Sequence, residues 1–441
     1  MLKSFYLNRI FYYICLAASG LFVTGYFFPP VFTVALAVIL CTIAAVLVDT
    51  VLLYGKGKGI DAYRVLQPRF SNGDDNKVVI ELENYYGFKI KTIIIDELPF
   101  QFQERHWKRT LQIVSGDKTE LTYFLKPRER GEYHFGNINV FVNSPLGIVI
   151  RRYSFEQSQT IKVYPSYFQM RRYQLLATAN RLEEAGVKRM RKLGHSLEFE
   201  QIKQYVPGDD YRTINWKATA RHGDLMTNNY TDERSQQIYC IVNKGRIMKM
   251  PFGGLSLLDY SINAALVLSN IALIRQDRAG LITFAENLDT FIPADKKPAQ
   301  LNIILESLYR QSTSFLENDF GKLFSVIRNR VTHRSLLVLF TNFESLETLK
   351  RELPSLKKIA HYHLLMVVFF ENTELRTLIE TSAVTIEDIY IKTIAEKYNL
   401  EKRMMAKELQ QNGIVAVLST PQNLTINAIN KYLELKNRQR I

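Results

Sequence analysis

Cysteine is scarce. Three occur in 441 residues, Cys15 and Cys41 inside apolar runs and Cys240 alone in a strand-like segment. No disulfide framework or thiolate zinc site can be built from that set. A concentrated block of one charge is also missing. The formal net charge is +14, yet segments 1–59, 60–165, 166–236 and 237–441 carry +3, +2, +3 and +6. An excess spread this evenly offers no basic patch interleaved with aromatics for nucleic acid, and it suits a protein facing an anionic membrane surface. Catalytic signatures are absent as well: no Gly-x-Ser-x-Gly elbow, Walker phosphate loop or His-Glu-x-x-His helix occurs. Gly55-Lys56-Gly57-Lys58-Gly59 lacks the phosphate-loop spacing and reads as a flexible basic exit from a membrane. With 47% hydrophobic and 23% charged residues the chain is not disordered as a whole. Its length predicts roughly three structural units.

Long uncharged runs are present at the start. Residues 10–28 and, after Pro29-Pro30, residues 31–48 carry no charge. About 18–20 helical residues cross a hydrocarbon core of ~30 Å, so residues 1–59 read as a two-helix transmembrane hairpin with the proline pair at its turn. Lys3 and Arg9 precede it and Lys56, Lys58, Arg64 and Arg69 follow it. Basic flanks stay on the cytoplasmic side, which predicts a two-pass membrane protein with the bulk of the chain cytoplasmic. Asp49, near the end of the second run, reads as an interfacial, solvated carboxylate.

Residues 60–165 alternate with period two, as in Val78, Ile80 and Leu82 or Ile138, Val140 and Val142, between turns such as Ser71-Asn72-Gly73-Asp74 and Ser144-Pro145-Leu146-Gly147. The pattern predicts a small antiparallel β-sandwich. Residues 237–441 instead carry continuous apolar runs at 238–242, 281–284, 336–340, 364–370 and 414–418. These are strands of a parallel sheet buried on both faces. Between them Leu258, Ile262 and Ala265, or Ile394, Tyr398, Met405 and Leu409, keep a helical period. This alternation predicts a doubly wound α/β domain whose ligands bind beyond the C-terminal strand ends. His361-x-His363 reads as a structural pair at a strand entrance, and residues 181–192 as a solvated helix.

Residues 166–236 form a charged connector around Pro207-Gly208-Asp209-Asp210. Here Asp209 or Asp210 would cap a helix running from Arg212 to Arg221, Gly223 would stop it, and Trp216 would supply an apolar anchor. Two readings stand beside each other. Glu198, Glu200, Asp209 and Asp210 with Arg212, Lys217 and Arg221 could form a recognition surface or catalytic cluster, or they could be a cap and structural ion pairs. A metal site from His222, Asp224 and Asp209 has no support from ligand spacing.

This stretch resembles the bacterial domain-of-unknown-function family numbered fifty-eight. The family's pattern is met by Glu198-Phe199-Glu200, by Tyr205-Val206-Pro207-Gly208-Asp209, by Ile214-Asn215-Trp216-Lys217-Ala218-Thr219-Ala220-Arg221, and by Tyr230 with Glu233. Arg130-Gly131-Glu132-Tyr133 and Ser144-Pro145-Leu146-Gly147 match its β-region steps. The resemblance implies a membrane-anchored partner of a MoxR-type AAA+ ATPase whose last domain is similar to von Willebrand factor A domains, with no established chemistry. Such a domain usually binds Mg²⁺ through an Asp-x-Ser-x-Ser loop, a threonine and a later aspartate. Here the loop is Asn243-Lys244-Gly245-Arg246-Ile247, Thr313 fits the threonine, and Asn342 replaces the aspartate. Magnesium needs hard, carboxylate-rich oxygen ligands. The implied site is therefore degenerate and expected to hold no metal or cofactor, and Lys244 and Arg246 could draw an acidic peptide instead. The favoured expectation is a non-enzymatic scaffold or adaptor that binds protein partners. The alternative is a membrane-associated enzyme using the cluster Glu198, Asp209, Asp210 and Lys217.

Overall fold

The computed structural model describes residues 4–178, 198–207, 209, 211–231, 235–380 and 385–438. The chain divides into two compact units, Met1–Tyr164 and Pro165–Ile441.

In the first unit a short strand, Phe5–Leu7, leads into the helix Arg9–Phe27, and a single residue separates that helix from the next, Pro29–Tyr54. Asn8 caps the first helix by accepting from the Arg9 N–H, and proline opens the second, where its missing N–H costs nothing. Both helices are long and apolar enough to cross a membrane, and few of their side chains are buried. Phe5–Leu7 pairs with Val149–Phe155, and the second helix passes into the strand Ile60–Leu66. Both ends of the hairpin thus enter the same β region.

That region has a five-stranded antiparallel sheet and two three-stranded sheets, which share one buried core. The strand Asn76–Asn84 shows the expected alternation, with Val78, Ile80 and Leu82 buried. The core also holds a charged pair. Arg64 and Asp96 are 3% exposed each; the guanidinium donates to both carboxylate oxygens and to the carbonyls of Gly136 and Gln157, and the Tyr123 hydroxyl donates to the same carboxylate.

Two expectations for this unit change. Asp49 is not solvated: it is fully buried and accepts from the Ser144 hydroxyl and from the N–H groups of Leu146 (3.3 Å) and Ile148 (3.1 Å). A carboxylate at the end of an apolar helix is tolerable when donors surround it. The Gly55–Gly59 exit is not a free linker either. Arg151 donates to the carbonyls of Leu53, Lys56 and Gly57 and stacks between the rings of Tyr54 and Tyr153, capping the C-terminus of the second helix. Gly59 passes so close to Tyr86 and Tyr153 that a Cβ there would overlap the ring and hydroxyl of Tyr86 and the hydroxyl of Tyr153.

The second unit contains a six-stranded sheet in the spatial order Leu288–Asp295, Arg278–Phe284, Gln237–Asn243, Leu336–Phe340, Leu364–Phe370, Val415–Ser419. Five strands are parallel. Leu288–Asp295 is an antiparallel edge strand, which makes the sheet mixed rather than wholly parallel. Strand side chains alternate between faces. Tyr239 and Ile241 join the helices Phe320–Arg330, Leu346–Tyr362 and Ile386–Gln411 on one face, while the Cys240 thiol reaches the Ala265 carbonyl of the helix Leu257–Ile274 on the other. His361 lies in the last turn of a helix, so the His361–His363 pair does not share a strand.

Candidate functional site

The central motif folds as a small unit with its own hydrogen bonds. Strands Glu198–Gln204 and Met226–Thr231 pair antiparallel, placing Phe199 opposite Tyr230, and a 3₁₀ turn and a short helix lie between them. The helix is Trp216–His222, shorter than the expected Arg212 to Arg221, and its cap is Asn215, not Asp209 or Asp210. The Asn215 side chain accepts from the Ala218 N–H at 3.0 Å and donates to the Asn228 amide oxygen at 2.8 Å, and its backbone N–H reaches the Met226 carbonyl. An asparagine can cap and reach sideways because it carries both an acceptor and donors. Gly223 ends the helix at φ 78°, as its residue type demands. Thr213 and the buried Thr227 share a hydrogen bond of 2.6 Å, and the Thr219 hydroxyl accepts from the Met226 N–H.

Asp209 serves its own turn. It accepts from the Val206 N–H at 3.2 Å and from the Lys203 ammonium at 3.1 Å, which together hold its carboxyl below the usual range. Tyr205 is half-buried, its N–H donating to Leu225, while Pro207 is exposed. Gly208, Asp210 and Glu233, the side chains of Glu198, Glu200 and Tyr230, and residues 181–192 lie outside the described residues. Asp209 and Lys217 do not meet, since Asp209 is taken by Lys203 and Lys217 is exposed on the short helix.

Trp216 is not an anchor. It is 70% exposed, and with it stand Tyr211 at 68%, Val206 at 58% and Leu225 at 45%. The helix has only seven residues and buries Ala218 alone, so its indole has no core to enter. Arg212, Lys217 and Arg221 are exposed alongside. The motif therefore presents an aromatic and cationic surface on a frame held by Thr213, Asn215, Thr219 and Thr227.

Residues 201–390 match the model of the family described as "Protein of unknown function DUF58". The DUF58 match thus begins in the first strand of the motif and runs through most of the six-stranded sheet. The uncharacterized protein YeaD of Bacillus subtilis (strain 168) is 30% identical over 126 residues, covering 28% of this chain and 31% of YeaD. The chain thus spans about a third of that relative. Among solved structures, the conserved hypothetical protein BatB from Bacteroides thetaiotaomicron aligns over 46% of this chain and 99% of its own at 13% identity and a TM-score of 0.29. A PapD-like domain of human CEP192 aligns over 24% of this chain and 85% of its own at 14% identity and a TM-score of 0.19.

The strand ends form a second constellation, which lies within residues 201–390 except for Lys402. Asn243 is fully engaged: its amide donates to the Thr341 hydroxyl and its oxygen accepts from the Gly245 N–H, both at 2.8 Å. Gly245 packs against the Asn318 amide, where a Cβ would overlap it, and Ile247 lies in the 3₁₀ turn Arg246–Lys249. The loop carrying Thr313 runs alongside, with Ser314 bonded to Lys244 and Leu316 to Arg246 through their backbones. Asn342 turns its side-chain oxygen toward the ammonium of Lys402 at 2.8 Å, and Lys402 also donates to the Phe343 carbonyl. Lys402 is 2% exposed, and burial pushes its pKa down to about 8 against the pull of Glu344 and Glu401.

This donor set does not suit a dication. The two amides are spent on internal bonds, and at ~4 Å and an effective dielectric of 20 an ammonium repels each unit of ionic charge by about 4 kcal/mol. Among the described residues no group of three His, Cys, Asp or Glu is arranged to hold a metal. The two cations of the loop differ in their engagement, and Arg246 keeps a side chain 62% exposed. Lys244, with a side chain 12% exposed, pairs with Asp289 at 2.8 Å, and Arg246 approaches Glu344 at 3.7 Å.

Lys402 escaped the reading of the sequence, yet it left a trace. Tyr398, Met405 and Leu409 mark the inner face of a helix, and the position that continues that face, 402, is a lysine.

Proposed function

We propose that the protein is a membrane-anchored scaffold that binds a protein partner through the central motif, and that this partner is a MoxR-type AAA+ ATPase or its client. The observation that carries the reading is the exposure of Trp216, Tyr211, Lys217 and Arg221 on a frame held by the bonds of Thr213, Asn215, Thr219 and Thr227. Large aromatics beside cations are the residue types that dominate protein–protein contacts. The separation of Asp209 from Lys217 weighs against a catalytic cluster built on that pair.

The last unit is read here as a von Willebrand factor A-like domain that works without a metal. Its support is the strand order, with neighbours on both sides of Gln237–Asn243, and the amide and ammonium groups where carboxylates would be required. The basic flanks of the hairpin favour a cytoplasmic position for the rest of the chain in the bacterial inner membrane.

Recovery of the ATPase from detergent-solubilised membranes tests the partner. The full chain as bait should retain it, and the variant Tyr211→Ala/Trp216→Ala/Lys217→Ala should lose most of it. Equal recovery by both, or none by the unaltered chain, overturns the proposal.

A further inference from the structure

The Ser144-Pro145-Leu146-Gly147 turn is held by both membrane helices at once. Asn8, the cap of the first, donates through its side chain to the Gly147 carbonyl and through its backbone N–H to the Ile148 carbonyl, both at 2.8 Å. Asp49, on the second, accepts from Ser144, Leu146 and Ile148. The turn is internally braced as well, since the Ser144 hydroxyl accepts from the N–H groups of Gly147 and Val149. Three of the four turn residues are thereby tied to the hairpin, and the turn cannot drift along it.

The level of that attachment follows from helix geometry. From Pro29 to Asp49 the rise is ~30 Å, and from Arg9 to Phe27 it is ~27 Å, each about one hydrocarbon thickness above the tip of the hairpin. Two helices independently place Asn8, Asp49 and the turn at the boundary between acyl chains and headgroups. At this level Leu146 projects a large apolar side chain that is 54% exposed, although Ile148, two residues on, is buried. Ile10, at the start of the first helix, comes within 3.6 Å of the space beside Gly147 and is itself 45% exposed. Arg9 is exposed at the same height, where a guanidinium meets lipid phosphate.

We infer that the Ser144–Gly147 turn is a bilayer contact in which Leu146 inserts at the acyl–headgroup boundary, so that the β region rests on the lipid surface rather than standing off it. The inference rests on the reading of the two helices as membrane spans. The occupant is lipid because the patch is continuous with the lipid-facing side chains of the hairpin and lies at a depth those helices dictate. The Asp49 carboxylate reads as the fastener that holds the turn there, which gives a buried acid on an apolar helix a purpose beyond its own solvation.

Tryptophan emission of the full-length protein in phosphatidylcholine vesicles, brominated either just below the headgroup or near the chain end, tests this. Three variants are compared with the unaltered chain: Leu146→Trp, Leu40→Trp in the second helix, and Phe124→Trp on an exposed strand position of the β region. The added emission of L146W should fall at least about twofold with shallow bromine and less with deep bromine, as expected for a side chain buried 5–10 Å into the interface. L40W should respond most to deep bromine and F124W to neither. An unquenched L146W beside a quenched L40W overturns the lipid contact and leaves the spans standing. Deep bromine quenching L146W more than shallow overturns the assigned level, and quenching of neither L146W nor L40W overturns the membrane reading together with the inference.

Discussion

The Lys402 ammonium lies 2.8 Å from the side-chain oxygen of Asn342 and is bonded also to the Phe343 carbonyl, in a site 98% shielded from water. A helix far along the chain thus supplies a tethered cation to the tip of the sheet. Burial lowers its pKa to about 8 from the ordinary 10.5. The unfolded chain therefore binds more protons between those values, and stability rises with pH across that window. We expect the unfolding free energy to gain about 1 kcal/mol from pH 7 to pH 9 relative to Lys402→Met, measured by denaturant titration of both proteins. Parallel pH profiles for the two would refute the assignment.

Arg64 and Asp96 form a buried pair, and removing one partner strands the other. Arg64→Met should cost about 3–5 kcal/mol, while a double replacement of both by apolar residues should recover most of that loss. Thermal unfolding in detergent, monitored by near-ultraviolet circular dichroism, separates the two outcomes. A double variant as unstable as the single one would show that the pair does more than satisfy itself.

Asn215 caps the motif helix and bridges to Asn228. Asn215→Ala should cost about 1 kcal/mol and fall mainly on the local unit. Hydrogen exchange at residues 216–222 should accelerate about fivefold, with the six-stranded sheet unaffected. Asn215→Asp, which keeps the cap, should retain most of the protection.

Trp216 and Tyr211 are too exposed to support the fold. Replacing both by alanine should leave stability within about 0.5 kcal/mol. A larger loss in equilibrium unfolding would place the indole in the core after all and remove the basis for reading it as a contact surface.

Magnesium should leave the strand-end constellation unmoved. Millimolar Mg²⁺ added to the purified protein should not raise its thermal midpoint. A clear rise that Thr313→Ala abolishes would establish a dication site there despite Asn243, Asn342 and Lys402.

Features with a long local signal were legible in the sequence. Two uncharged runs of about helix-crossing length marked the hairpin, and Val78, Ile80 and Leu82 marked their strand because burial on one face imposes period two. Five of the strands in the large sheet announced themselves as apolar runs. The sixth, Leu288–Asp295, did not, because an antiparallel edge strand keeps one side partly exposed and here includes Pro293. The site was legible as a list of residues but not as roles. The helix starts only at Trp216, so its cap falls to Asn215, while Asp209 is bonded to Val206 and Lys203 in the preceding turn. The bond between Asp49 and Ser144 joins residues 95 positions apart, and the Lys402–Asn342 bond 60 apart. No local periodicity records such pairings.

The helix Leu257–Ile274 matches Arg9–Phe27 in mean hydropathy and is long enough to cross a bilayer, yet it is enclosed by the second unit. Among the described residues three helices are thus long and apolar enough to cross a membrane, and the third is the one buried within its own unit. What distinguishes the third is its polar content: Asp259, Asn263 and Asn270 raise the cost of its entry into lipid, and the strand Gln237–Asn243 covers one flank. Shortening the chain so that the later strands never arrive would leave that helix half clothed. A truncated product would then expose an apolar helix of membrane-crossing length.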